Sequence, residues 1–85
     1  MGLKPIPTAK WKKWLKSIGL EYKRTEGSHE VWDYPDDSLL RPVVFRGAKK
    51  EIPGIHIHTN LQTLNIDYKT FEKQIQKLWF LLFNF

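Results

Sequence analysis

The sequence predicts an α+β domain in which helices pack on one face of a three-stranded antiparallel sheet. Apolar residues recur at helical spacing near both ends of the chain, whereas the middle alternates apolar and polar residues as strands do. The predicted strands are joined by short turns rich in Gly, Pro and Asp, which favours an antiparallel meander. We therefore expect one domain over residues 1–85 with the order α-β-β-β-α-α.

The first helix is expected to follow the extended Pro5-Ile6-Pro7, with Thr8 as its N-cap and Gly19 in a left-handed C-terminal cap. Its apolar stripe consists of Trp11, Trp14, Leu15 and Ile18. Its other positions are largely cationic: Lys10, Lys12, Lys13 and Lys16. This lysine face could follow an RNA backbone, contact an acidic protein, or simply be solvated.

The three strands are predicted over Leu20 to Arg24, His29 to Tyr34 and Arg41 to Arg46. Glu26-Gly27-Ser28 forms the first turn, and Pro35-Asp36-Asp37-Ser38 forms the second. A histidine therefore opens the middle strand of the predicted sheet.

A charged connector over residues 47–51 leads to Pro53, which suits the first turn of a helix. The segment that follows contains spaced aliphatic residues, although the alternation in Ile55-His56-Ile57-His58 leaves a strand open. Asp67 is the expected N-cap of a last helix. The apolar stripe of that helix is Tyr68, Phe71, Ile75, Leu78 and Leu82.

The charge balance favours a polyanionic partner. Fourteen Lys and Arg against nine Asp and Glu give a formal charge of +5, which suits nucleic acid, an anionic membrane surface or an acidic protein. The absence of cysteine excludes disulfides, thiolate catalysis and cysteine-ligated zinc. The first residues do not read as a signal peptide, and the aromatic run over 78–85 is far shorter than the roughly 20 residues that span a bilayer. We expect a cytoplasmic protein whose aromatic run covers its own core or is covered by a partner.

His29 is the leading candidate for chemistry. An imidazole titrates near neutrality, and one surrounded by cations can take the proton from a ribose 2′-hydroxyl, which then attacks the adjacent phosphorus. Gly27 would let a sugar–phosphate backbone come close, and Ser28 could orient the imidazole or donate to a phosphate oxygen. Gly-Ser is also ordinary turn chemistry, so a histidine that merely begins a strand is the structural alternative.

Basic residues near this histidine in the predicted sheet are candidates for phosphate binding. They are Lys23, Arg24, Arg46, Lys49 and Lys50. Lys23 and Arg46 are the favoured pair, because strand pairing is expected to bring both close to His29. Each of these cations could instead belong to a solvated surface.

Three further groups of side chains suggest other kinds of site. His56 and His58 share a face only on a strand, since on a helix they point about 200° apart, so a zinc site is disfavoured and a helix surface is favoured. Asp33, Asp36 and Asp37 are better explained by turns than by a metal, and no cofactor is expected. The aromatics Trp11, Trp14, Trp32 and Tyr34 could stack on bases but suit a core better.

The segment from Tyr22 through Ile75 resembles the HicA toxin family of bacterial toxin–antitoxin modules. The residues that carry this resemblance are Gly27-Ser28-His29, Pro42-Val43-Val44-Phe45, Lys50-Glu51-Ile52-Pro53, and the stretch Thr59 to Ile66 followed by Tyr68-Lys69-Thr70-Phe71. Members of the family often carry another histidine at the end of the third strand, where this chain has Phe45-Arg46.

The resemblance implies a double-stranded-RNA-binding-like fold and an mRNA endoribonuclease with His29 as its catalytic histidine. It also implies a HicB-type antitoxin partner that covers this histidine. Because Arg46 replaces the second histidine, the general acid is left unassigned.

The leading hypothesis is therefore a metal-independent endoribonuclease toxin that cleaves mRNA with His29 as general base. The alternative is a non-catalytic module that binds double-stranded RNA or other nucleic acid through the same basic surface. A third possibility is a domain that interacts only with proteins.

Overall fold

A computed structural model describes residues 4–83, except for the side chains of residues 79 and 81–83. The elements are β1 (Ile6–Pro7), α1 (Thr8–Ser17), β2 (Glu21–Glu26), β3 (His29–Asp33), β4 (Val43–Phe45), β5 (Glu51–Ile52), α2 (Gly54–Leu64) and α3 (Tyr68–Phe83). Strands β2, β3 and β4 form an antiparallel sheet in that order. The predicted α+β class and its three-stranded antiparallel meander are confirmed.

The turn between β2 and β3 fixes the start of the middle strand. Glu26 pairs with His29, which leaves a two-residue loop of Gly27 and Ser28. Gly27 has a φ of 60°, a conformation that glycine adopts at little cost and that suits the first position of a tight hairpin loop. His29 therefore opens β3, as the sequence predicts.

The hydrophobic core lies between one face of the sheet and the three helices. The sheet contributes Trp32, Val43 and Phe45, which share a face because strand side chains alternate. The helices contribute Trp11, Trp14, Leu15, Ile57, Leu61, Leu64, Phe71 and Ile75. Trp11 and Trp14 are completely buried, and the edge of each contacts the Phe71 ring. Large aromatic side chains thus give a short chain its buried surface.

The prediction that Thr8 caps α1 is wrong. Helix α1 begins at Thr8 itself, with Pro7 in the N-cap position. The Thr8 hydroxyl instead donates to the carbonyl of Lys49 at 2.5 Å, and its backbone N–H donates to the carbonyl of Lys50 at 2.8 Å. These bonds continue the two-residue pairing of β1 with β5, which sequence alone did not predict.

The other predicted helix boundaries are close to those observed. Gly19 has a φ of 100° directly after the C-cap residue Ile18. The N–H groups of Gly19 and Leu20 donate to the carbonyls of Lys16 and Leu15, as in a Schellman motif. At the other end of the chain, α3 starts at Tyr68 immediately after Asp67.

The side chains of Asp67 and Thr70 bind each other at the start of α3. Hydrogen bonds from the hydroxyl and backbone of Thr70 lower the pKa of the Asp67 carboxyl. This confirms Asp67 as the capping residue.

The aromatic run at the end of the chain is described only in part. Leu78 packs against the core, whereas Phe80 is 63% exposed. The other residues of the predicted run lie outside the described side chains. Among the residues described, no helix combines the length and the apolar character needed to cross a membrane.

Candidate functional site

His29 stands at the corner where β3 begins. Its neighbour Glu30 pairs with Phe45 and points to the helix side, so His29 lies on the opposite face, at the level of Arg46 just past the end of β4. The side chain is half-buried. An imidazole in this position is held by the sheet yet reachable from solvent.

His29 lines two adjoining clefts where the β4 edge of the sheet meets α2, with volumes of about 210 and 250 Å³. Arg46 and His56 line both of them. The other lining residues are Val44, Phe45, Thr59 and Asn60 in the first cleft and Lys49, Glu51, Ile52 and Pro53 in the second. We call this joint depression the His29 cleft.

Helix α2 is placed beside the cleft by Asn60. Strand β4 is the edge of the sheet, and edge strands expose unpaired backbone groups. The Asn60 side-chain amide accepts from the Val44 N–H at 3.4 Å and donates to the Val44 carbonyl at 3.1 Å, so it pairs with the edge as another strand would. Asn60 is buried, and it holds the first turns of α2 against the end of β4.

Glu30 anchors the strand next to His29 on the helix side. Its carboxylate accepts from Lys12 Nζ at 2.9 Å and from the indole N–H of Trp32 at 3.0 Å. Burial alone raises the pKa of Glu30, but the hydrogen bonds from Lys12 and Trp32 outweigh it and the pKa lies below its usual value. Lys12, predicted only as part of a cationic face, therefore ties α1 to the sheet behind the cleft.

Three of the predicted phosphate-binding cations lie around His29. Arg46 and Lys49 line the His29 cleft, together with the opposing carboxylate of Glu51. Arg24 lies on the outer sheet face, where it lines a shallow depression that also includes His29 and pairs with Glu26. These positions form a basic rim on two sides of the imidazole.

Lys23 does not belong to this group, contrary to the prediction. Its ammonium group lies 3.2 Å from Asp37, 3.3 Å from Glu21 and 3.2 Å from the Pro35 carbonyl. Partial burial lowers the pKa of Lys23, but hydrogen bonds and charge from Asp37 and Glu21 raise it overall. The pairing register explains the error, because Lys23 sits at a bulge in the middle of β2, three residues before the Glu26 that pairs with His29.

The remaining predicted site residues are exposed. Gly27 and Ser28 form the hairpin loop beside His29, and a side chain built on Gly27 would meet nothing within 4 Å. The loop is thus open to a bulky ligand. Lys50 is exposed just before β5, and its backbone carbonyl accepts a hydrogen bond from the backbone N–H of Thr8.

His56 is the site residue that sequence reasoning missed. The segment is helical, so His56 and His58 point in different directions, and both are exposed. Of these two histidines, His56 lines the His29 cleft, and His58 is not among its described lining residues. His56 reaches the cleft because α2 packs on the edge of β4 through Asn60. The sequence did not predict that contact.

The described residues bring no group of three or more His, Cys, Asp or Glu side chains together as a metal site. Asp33 has a structural role instead: its carboxylate accepts from the backbone N–H groups of Tyr34 at 2.7 Å and Leu39 at 3.2 Å. This organises the loop after β3, as the turn interpretation predicted.

The three tryptophans with described side chains belong to the core rather than to a stacking surface. Trp11, Trp14 and Trp32 are at most 2% exposed. Tyr34 is half-buried against the same core. Bases could not reach the rings of Trp11, Trp14 and Trp32 without unfolding the domain.

Comparisons with protein-family models, with curated proteins and with solved structures found no match for this chain. A functional conclusion therefore depends on the geometry around His29 and on the motifs of the sequence itself.

Proposed function

We propose that this protein is a metal-independent endoribonuclease that cleaves mRNA, with His29 as general base. The observation that carries the proposal is a half-buried imidazole at the open corner of a sheet, in one cleft with Arg46 and Lys49. The resemblance of residues 22–75 to HicA toxins supports the same chemistry.

The proposed reaction is a transesterification. His29 takes the proton of a ribose 2′-hydroxyl, the 2′-oxygen bonds to the neighbouring phosphorus, and the bond from phosphorus to the 5′-oxygen breaks. The 5′-oxygen receives a proton, and the products are a 2′,3′-cyclic phosphate and a 5′-hydroxyl. DNA lacks the attacking hydroxyl, so the reaction is specific for RNA.

The surrounding cations suit the charge that develops at phosphorus. Fixed cations near a pentavalent phosphorane stabilise its extra negative charge. Arg46 and Lys49 lie on the cleft, and Arg24 lies on the adjoining outer face. Glu51 lines the second cleft as well, and its negative charge opposes part of this positive charge.

We further propose that the protein is a cytoplasmic toxin of a type II toxin–antitoxin system and that a HicB-like antitoxin silences it. The resemblance of residues 22–75 to HicA toxins supports this partner, since unrestrained cleavage of mRNA would harm the cell that makes the protein. A partner that covers His29 and the Gly27-Ser28 loop would block the substrate.

Purified protein incubated with a long RNA and the matching DNA, with and without EDTA, tests the proposal. Wild type should cut RNA alone, leave cyclic phosphate ends and be unaffected by the chelator. His29→Ala should lose activity by about 100-fold or more, the usual contribution of a general base. His58→Ala is the matched control, because His58 is exposed and outside the described lining of the cleft.

RNA left intact by folded wild type, or cut equally by His29→Ala, would falsify the nuclease proposal. Salt-dependent RNA binding without cleavage would identify the non-catalytic binding module instead. Loss of cleavage in EDTA would indicate a metal-dependent reaction and would remove His29 as the sole base.

A further inference from the structure

We infer that His56 is the general acid of the proposed cleavage, the group that protonates the departing 5′-oxygen. The inference rests on the proposed function and completes its mechanism. It assigns a catalytic role to a residue of α2 that neither the sequence pattern nor the resemblance points to.

The geometry that supports this role is the shared cleft. His29 lines it from the start of β3, His56 lines it from the first turn of α2, and Arg46 lines both parts of the cleft as well. In an in-line displacement the base and the acid act on opposite sides of phosphorus. The two imidazoles come from different elements, β3 and α2, and line one cleft, so a phosphate bound there could meet one on each side.

The other ionisable side chains of the cleft are poorly suited to donate this proton. A guanidinium such as that of Arg46 does not deprotonate in proteins. Lysine ammonium groups ordinarily hold their proton up to a pH of about 10, and carboxyl groups ordinarily lose theirs near pH 4. An imidazole can both release and regain a proton near neutrality, which is what repeated turnover needs.

The position of His56 is also fixed by the fold. The backbone N–H of His56 donates to the Pro53 carbonyl at 3.0 Å, which holds the residue in the first turn of the helix. One turn later, Asn60 binds the Val44 backbone and holds that helix against β4. The side chain is exposed, so its imidazole can exchange protons with solvent between turnovers.

A substrate with sulfur in place of the bridging 5′-oxygen tests the role directly. A thiolate leaves without prior protonation, so this dinucleotide phosphorothiolate does not need a general acid. On ordinary RNA, His56→Ala should lose about 100-fold or more in kcat/KM. On the sulfur substrate it should stay within about threefold of wild type, while His29→Ala should lose activity on both substrates.

His58→Ala, made on the same helix and outside the described cleft lining, should match wild type on both substrates. Circular dichroism should show the His56 and His58 variants folded, because Ala is at least as good a helix former as His. The His29 variant should also be folded, because His29 opens β3 outside the hydrophobic core. A merely structural role of His56 would lower activity on both substrates by the same factor.

The two possible failures are distinguishable. If wild type cleaves neither substrate, the proposed function is wrong and His56 has no reaction to serve. If wild type cleaves both, but His56→Ala is either unimpaired on RNA or equally impaired on the sulfur substrate, the nuclease proposal stands and the general acid assignment is overturned.

Discussion

The carboxylate of Glu30 occupies the space that a side chain on Gly47 would need. A Cβ built on Gly47 would lie 1.7 Å from Glu30 Oε2 and 2.6 Å from Glu30 Cγ. Lys12 Nζ reaches both sides of this contact, donating to Glu30 at 2.9 Å and to the Gly47 carbonyl at 3.4 Å. The loop after β4, which leads from Arg46 to Lys49, is thereby packed against the strand that starts with His29.

Gly47→Ala should therefore destabilise the fold by about 1–3 kcal/mol, because Glu30 must leave Lys12 and the buried Trp32 indole loses its acceptor. Glu30→Ala removes the obstructing side chain. In that background, Gly47→Ala should cost almost nothing further. Urea denaturation of the two single variants and the double variant measures the coupling. Additive costs would show that the steric contact does not determine the conformation of this loop.

Glu30 should also make the free energy of unfolding depend on pH in the acidic range. Its folded pKa is lowered, so the folded protein binds this proton less readily than the unfolded chain, and protonation favours unfolding. The contribution of Glu30 to the free energy of unfolding is complete above pH 4.5, its ordinary pKa. It is lost as the pH falls through the lower pKa that Glu30 has in the folded protein.

Glu30→Gln keeps an acceptor for Trp32 but loses the charge that Lys12 faces. It should be about 1 kcal/mol less stable than wild type at pH 7, and the difference should shrink toward pH 3. Asp67 also has a lowered pKa but is unchanged in both proteins, so its effect cancels in the comparison. A difference that stays constant from pH 7 to pH 3 would contradict the assignment.

The local signals of the sequence were reliable where one short segment determines the structure. The Gly27-Ser28 turn, the start of β3 at His29 and the cap at Asp67 all depend on neighbouring residues, and all were predicted. Lys23 was misplaced because a bulge in β2 depends on pairing between strands, which composition does not reveal.

His56 was missed for a related reason: a helix surface residue becomes part of a site only when the helix docks. The signal that could have found it is the buried asparagine one turn later on the same helix, since an apolar helix face that includes an Asn needs a polar partner. The partner, the edge of β4, is known only from the tertiary structure.

This docking contact predicts distinct effects for two substitutions of Asn60. Asn60→Ala removes both bonds to Val44, so it should cost about 1–3 kcal/mol and speed hydrogen exchange at the Val44 amide. Asn60→Asp keeps an acceptor for that amide but faces the Val44 carbonyl with a buried carboxylate. It should cost at least as much stability at pH 7 while the Val44 amide stays better protected than in Asn60→Ala. Equal exchange rates in the two variants would show that the Asn60 side chain does not close this edge.

The division of the basic residues predicts how RNA binding depends on salt. Arg46 and Lys49 line the His29 cleft, whereas the Lys23 ammonium is held by Asp37 and Glu21. Each phosphate contact releases condensed counterions, with a slope of about 0.7 per contact for a single strand.

Removing either cleft cation should therefore weaken binding of a short single-stranded RNA and reduce the slope of log K against log salt by about 0.7. The matched control, Lys23→Ala, removes the same formal charge from the protein, so it should leave the slope nearly unchanged. Fluorescence anisotropy in the His29→Ala background measures binding without cleavage. If Lys23→Ala lowers the slope as much as Arg46→Ala does, RNA must run along the hairpin toward Asp37, and the basic rim around His29 would no longer define the binding surface.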